Sequence, residues 1–158
     1  MANTQAMATS FMGELLTGTH NFGVAPIRAS TAADTFKASM YLTTATINAA
    51  TTAYTATGEV SGTGYSAGGV TVTNATVPAS TNTTSTAGVA YWTPSASIVY
   101  TSVTLSTGFD CVLIYNSSQS NKAVSVHTFG TQTITAGTFT LTMPSNTTTT
   151  ALLRLSTT

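Results

Sequence analysis

Charge is what this chain has least of. Only 5% of its 158 residues are Asp, Glu, Lys or Arg, against about 25% in an ordinary soluble domain. Four acids (Glu14, Asp34, Glu59, Asp110) and four bases (Arg28, Lys37, Lys122, Arg154) cancel to zero net charge. With no basic stripe to neutralise phosphates, no nucleic-acid partner is expected. A lone cysteine, Cys111, leaves no internal disulfide and no thiolate cluster for zinc. Two distant histidines and scattered acids give no metal-ligand spacing, so neither metal nor cofactor is expected. The longest uncharged apolar run, Cys111 to Tyr115, falls far short of the ~20 residues a membrane helix needs, and no membrane partner is expected. The opening "MANTQAMATSF" lacks the basic residue and apolar core of a secretory signal, so synthesis and first folding in a cytoplasm are expected.

What fills the chain instead is threonine, about a quarter of all residues, a side chain that strands favour. Leu, Ile, Val and Phe together fall just under a fifth, but the high net charge that accompanies disorder is missing. Six Tyr, six Phe and one Trp are spread along the whole length as core anchors. Period-2 alternation dominates: Ala33–Leu42, Val70–Val77, Ser97–Leu105, Phe109–Tyr115, Lys122–Phe129 and Thr138–Met143 all read as strands. Asn116 to Asn121 reads as a tight connection, and "ALLRL" near the C-terminus as one last strand. Ser10–Leu16 is ambiguous between strand and helical turn and is assigned as strand, whereas Pro78–Gly88 reads as a polar loop. Short strands about ten residues apart predict an all-β fold, an antiparallel sandwich or jelly-roll-like barrel. Residues 1–9 form an extended N-terminal arm and residues 10–158 a single β domain.

The stretch "GEVSGTGYSAGG", Gly58 to Gly69, concentrates five glycines and superficially suggests a phosphate-cradling loop. Such loops need a helix after the glycines, whose N-terminal amides hold the anion. Here the alternating "VTVTNATV" follows, and neither the Lys-Ser/Thr pair nor a downstream acid is present. The glycines instead predict a bulged connection with positive φ and close backbone approach. Cys111, His127 and Asp110 contain the atoms of a nucleophile, base and orienter. Cys111, however, shares its face with Phe109, Leu113 and Tyr115, as a buried hydrophobe does, while Asp110 lies on the other face and His127 reads as a surface or interface histidine. Trp92 has two readings, a core anchor or an exposed partner-contact aromatic. No catalytic set is expected, and the protein is not read as an enzyme.

Few charges, flat threonine faces and an uncharged arm suited to strand addition point to protein–protein contact. Ala50–Val77, and within it Glu59–Gly69, resembles a segment of small tailed-bacteriophage virion structural proteins; Tyr100–Gly130 and Gln132–Pro144 match in the same order. The resemblance covers most of the chain from Asp34 onward and departs at Cys111, where a small apolar residue is usual. It implies a capsid decoration or cement protein in the virion, assembled in the host cytoplasm. The partners it implies are the major capsid protein or other virion subunits, with a homo-oligomer, dimer or trimer, expected on symmetry grounds. Glu59, Gly62, Gly64, Tyr65, Gly68 and Gly69 would set the shape of the connection, Glu59 capping local amides. Ala2, Asn3, Thr4, Gln5 and Trp92 are the candidate interface residues. The alternatives are a head–tail adaptor, or a tail or fibre component with a receptor- or glycan-binding module using Trp92 or Tyr91.

Overall fold

A computed structural model describes residues 3–16, 18–22, 33–74, 76–83 and 86–156. In chain order these form β1 (Ala6–Met7), α1 (Thr9–Leu16), β2 (Phe36–Leu42), β3 (Val70–Thr71), β4 (Ala79–Thr83), β5 (Thr86–Trp92), β6 (Ile98–Asn116), β7 (Lys122–Leu141) and β8 (Leu153–Ser156). They build a five-stranded sheet of order β1-β7-β6-β2-β3 and a three-stranded sheet β4-β5-β8, antiparallel at every pairing. The two sheets pack against each other as a sandwich; the barrel alternative is not adopted.

The centre is the long β6–β7 hairpin, closed by a turn over residues 117–121 with Ser120 and Asn121 at positive φ. Two pairs of segments predicted as separate strands are each one strand here. Ser97–Leu105 and Phe109–Tyr115 merge into β6, and Lys122–Phe129 and Thr138–Met143 into β7. The intervening Ser-Thr-Gly and Gly-Thr-Gln stretches are absorbed as bulges, with register shifts between Tyr100 and Phe109 and positive φ at Ser102 and Ala136. A bulge adds a residue without turning the chain, so turn-forming composition alone did not mark a turn.

Side-chain alternation sends Phe36 and Val112 to the face that meets the small sheet, where Phe36 lies 6.1 Å from Trp92 between ring centroids. Phe22 closes the gap, 4.6 Å from both rings. The other face carries Tyr41, Cys111 and Tyr115 under the irregular 43–69 stretch, with Tyr54 stacked on Tyr115 at 4.9 Å. Each fully buried aromatic contributes about 1.5–3 kcal/mol of transfer free energy. Aliphatic side chains such as Met40, Val112, Leu113, Ile114 and Val126 complete the core around these rings.

Three local expectations are corrected. Ser10–Leu16 lies in helix α1, because Phe11 and Leu15, four apart, turn to one side while Met12 points to solvent. The predicted loop Pro78–Gly88 instead contains β4 and the start of β5. Its Ser and Thr residues carry no apolar alternation, so no period marked those strands. Of the predicted strand Val70–Val77 only Val70 and Thr71 form β3; Val72 N still bonds Phe36 O at 2.8 Å, after which the chain leaves the sheet.

Candidate functional site

The glycine-rich connection is built around one carboxylate. Glu59 Oε1 accepts from the Gly68 N–H at 2.7 Å and the Tyr65 hydroxyl at 2.7 Å, while Oε2 accepts from the Tyr54 hydroxyl at 2.7 Å. Tyr65 in turn accepts from the Met40 N–H at 3.0 Å, and Tyr115 donates to the Gly68 carbonyl at 2.8 Å. Burial and then the bond to Glu59 push the Tyr54 and Tyr65 hydroxyls well above their ordinary pKa, so both remain protonated donors. At Gly69, φ is +70° and a Cβ would collide with the Ala38 carbonyl; at Gly64, φ is +79° and a Cβ would meet the Ser102 carbonyl. Gly62 lies equally close to the Thr104 carbonyl. The amides of Tyr65, Gly68 and Gly69 serve Gly62 O, Glu59 Oε1 and Ser66 O within the stretch itself.

Its position explains the tight approach. Residues 58–60 bond to the outer edge of β2 through Leu42 N to Gly58 O and Val60 N to Met40 O, at 2.9 and 3.0 Å. Thr63 accepts from Thr104 N at 2.8 Å, just where β6 extends beyond the end of β2. The connection thus seals one edge of the large sheet.

The opposite edge belongs to β7 and is covered only in part. Thr52 O receives the Ala123 N–H, Ala8 N reaches Val124 O, and β1 pairs Ala6 with Val126 and Met7 with Ser125. Beyond Thr128 the N-terminal strand departs: Thr4 N bonds Ile47 O at 2.9 Å, and Asn3 bridges Leu42 O, Ile47 N and Asp110 Oδ1. From there to Leu141, among the described residues, no backbone other than β6 pairs with β7. Thr131, Thr133, Thr135, Thr138 and Thr140 are exposed along it. No Asp, Glu, Lys or Arg occurs from Ala123 through Leu153, and no proline before Pro144. Charge and proline are the usual edge guards, so this edge is protected only by its bulges.

The N-terminal arm is thereby tied to its own body: Asn3 makes three bonds, Thr4 one, and Gln5 contacts Thr128 at 3.5 Å. Ala2 lies outside the described residues. Trp92 is 3% exposed and its indole N–H donates to Thr76 O at 2.9 Å, which settles the two readings in favour of the core anchor. Tyr91 remains half-buried beside an apolar gap of about 190 Å³ between α1 and the small sheet.

Cys111 and His127 do not cooperate. Cys111 stands opposite Thr128 and Val112 opposite His127, so the two side chains leave the sheet on different faces. Burial and then Asp110 push the Cys111 thiol up to about 12. Burial pulls His127 down to about 4, and its Nε2 is 2.9 Å from Ser125 Oγ. His127, expected as a surface or interface histidine, is intermediate in exposure and shares a face with Val112.

A polar cluster that the sequence did not single out links the N-terminal segment to the hairpin turn. His20, its side chain fully buried, has Nε2 2.7 Å from Glu14 Oε2 and Nδ1 3.0 Å from Asn116 Nδ2. Asn116 Nδ2 also donates to Asp34 Oδ2 at 2.8 Å, Gln119 donates to Asp34 Oδ1 at 3.0 Å, and Lys122 meets Glu14 Oε1 at 2.7 Å. The bonded partners are 6 to 108 positions apart. Glu14, Asp34 and Lys122 are three of the chain's eight charged residues, and no local pattern marked them as neighbours.

Among the described residues, no group of three His, Cys, Asp or Glu could hold a metal ion, and no helix is long and apolar enough to cross a membrane. No known protein family, curated protein or solved structure matches the chain.

Proposed function

We propose that this protein is a non-enzymatic structural subunit of a tailed-bacteriophage virion, a decoration or cement protein that binds the major capsid protein lattice. The open, uncharged β7 edge from Thr128 to Leu141 carries the reading. A strand edge without charge or proline is a template for pairing with another chain, and an assembly subunit can present one where a freely diffusing enzyme must guard it. The rigid side of the molecule supports the same reading. The Glu59 hub holds the connection against β2 and β6, so that edge is closed and contact is directed to the other. Cys111 is held as the thiol and leaves the sheet on the opposite face from His127, so the two form no nucleophile–base pair. Many copies, each adding a modest contact between neighbouring capsomers, would together reinforce a shell through avidity.

Cryo-electron microscopy of virions provides the test. Density for this chain on the capsid lattice with β7 against a neighbouring subunit is the expected result. Density only at the tail or head–tail junction overturns the decoration role. The paired substitution Thr135→Lys and Thr138→Lys adds edge charges at two exposed sites and should remove the chain from particles while leaving its fold intact. Undiminished incorporation would refute the edge as the contact.

A further inference from the structure

We infer that β1 and α1, Ala6–Leu16, form an acid-releasable cover on β7, and that protonation of His20 undocks it and lengthens the strand edge open to a neighbouring subunit. The consequence for assembly rests on the proposed function; the release itself does not.

Hydrogen-bond accounting around His20 admits only the neutral ring. The Asn116 amide is oriented by three bonds: one N–H to His20 Nδ1, the other to Asp34 Oδ2, and Oδ1 accepting from Ser118 N at 3.1 Å. His20 Nδ1 is therefore an acceptor and Nε2–H the donor to Glu14. A second proton on Nδ1 would point at an N–H donor. Turning the amide over would break its bonds to both Asp34 and Ser118. Three charged groups face the ring region: Glu14 from α1 and Asp34 from the strand entry favour the cation, and Lys122 from β7 opposes it. Phe11, Phe22 and Phe36 complete the surroundings without a counter-charge. Burial, the largest influence, draws His20 below its ordinary pKa despite the two carboxylates. Folding at neutral pH thus stabilises a ring that the same site cannot keep once charged.

α1 is anchored by Phe11, buried against the His20 ring at 4.8 Å and Phe22 at 6.0 Å, so the ring that would take up the proton is itself part of the apolar hold on the helix. The gap of about 190 Å³ separates Met7, Phe11 and Leu15 from the small sheet, and Met12 is 49% exposed. An eight-residue helix is not stable by itself, so once the charged ring leaves its place beside Phe11 and Asn116 the helix unravels. β1, only two residues long, is then held between the Asn3 and Thr4 bonds and the freed helix by its pairing with Ser125 and Val126 alone. Its departure extends the open edge back to Val124.

Hydrogen exchange on the full chain from pH 7.5 to 4.5, corrected for intrinsic rates, tests this. Amides of Ala6–Leu16 should lose protection by about tenfold or more, with a midpoint coinciding with His20 titration followed by imidazole NMR. Val112–Ile114 should stay protected through the same range. His20→Gln should show no pH step in Ala6–Leu16, whether that variant starts docked or already released. Three results would overturn the inference: His20 titrating while α1 protection is unchanged, both regions losing protection together, or an undiminished step in His20→Gln. Light-scattering mass measured alongside separates the two claims. Release without self-association or capsid binding would count against the assembly reading alone.

Discussion

Replacing Glu59 by alanine removes one side chain but strips three donors of their acceptor. The Gly68 N–H sits in a buried residue, the Tyr65 hydroxyl is half-buried, and the Tyr54 hydroxyl is nearest to solvent exchange. A buried donor left unpaired costs about 1–3 kcal/mol, whereas water can replace the acceptor at Tyr54 at little cost. Gly68 and Tyr65 together therefore set an expected loss of roughly 2–5 kcal/mol. For a chain of this size each 1 kcal/mol lowers Tm by about 2–4 °C, so Glu59→Ala should melt roughly 4–20 °C below the parent. Glu59→Gln keeps one acceptor oxygen and should lose about half as much. Trp92, the only tryptophan and buried in the core, reports unfolding by fluorescence, and urea titration gives the free energy. A Glu59→Ala stability within about 1 kcal/mol of the parent would refute the hub, because that is less than one orphaned buried donor.

Two glycines give a matched comparison: Gly69→Ala drives a methyl into the Ala38 carbonyl at φ +70° and should cost about 2–3 kcal/mol or more, while Gly130→Ala meets nothing within 4 Å and should be near neutral by thermal melt. His127 makes stability pH-dependent, with a folded-state pKa of about 4 against an ordinary 6.5. Between those values the unfolded chain binds the extra proton, so stability should fall as pH drops through this window and be independent of this group above it, the total approaching about 3 kcal/mol. Urea midpoints measured for the parent and His127→Gln at pH 7 and 5 check the sign; an equal slope in both would assign the effect elsewhere. The Cys111 thiol, fully buried and raised to about 12, should resist alkylation by iodoacetamide in the native state and react once the chain is unfolded in urea. Rapid native labelling would contradict its placement in the sheet.

Much of this architecture was readable before any coordinates. The alternation of Phe36, Ala38 and Met40 marked β2, and the Cys111–Tyr115 run marked the middle of β6, because one sheet face must be apolar wherever it is buried. The glycine connection was legible because a Thr/Val alternation after it excluded a phosphate-binding helix. β4 escaped notice for the opposite reason: its Ala-Ser-Thr-Asn-Thr sequence is polar throughout, and its pairing with β5 supplies the order that its side chains do not signal. Helix α1 was missed because seven residues can satisfy either period until a partner surface selects one.

Composition by itself determined a charge-poor, threonine-rich chain of zero net charge with a single cysteine, since those properties are sums over residues and need no geometry. Only the tertiary structure decided that Glu59 serves three donors, that Trp92 faces inward, that Cys111 and His127 leave the sheet on opposite sides, and that one sheet edge is sealed while the other stays open. The reason is that hydrogen-bond partnership, burial and strand neighbours are relations between residues distant in sequence, such as Asn116 with His20 and Asp34, and no local pattern encodes which of them will meet.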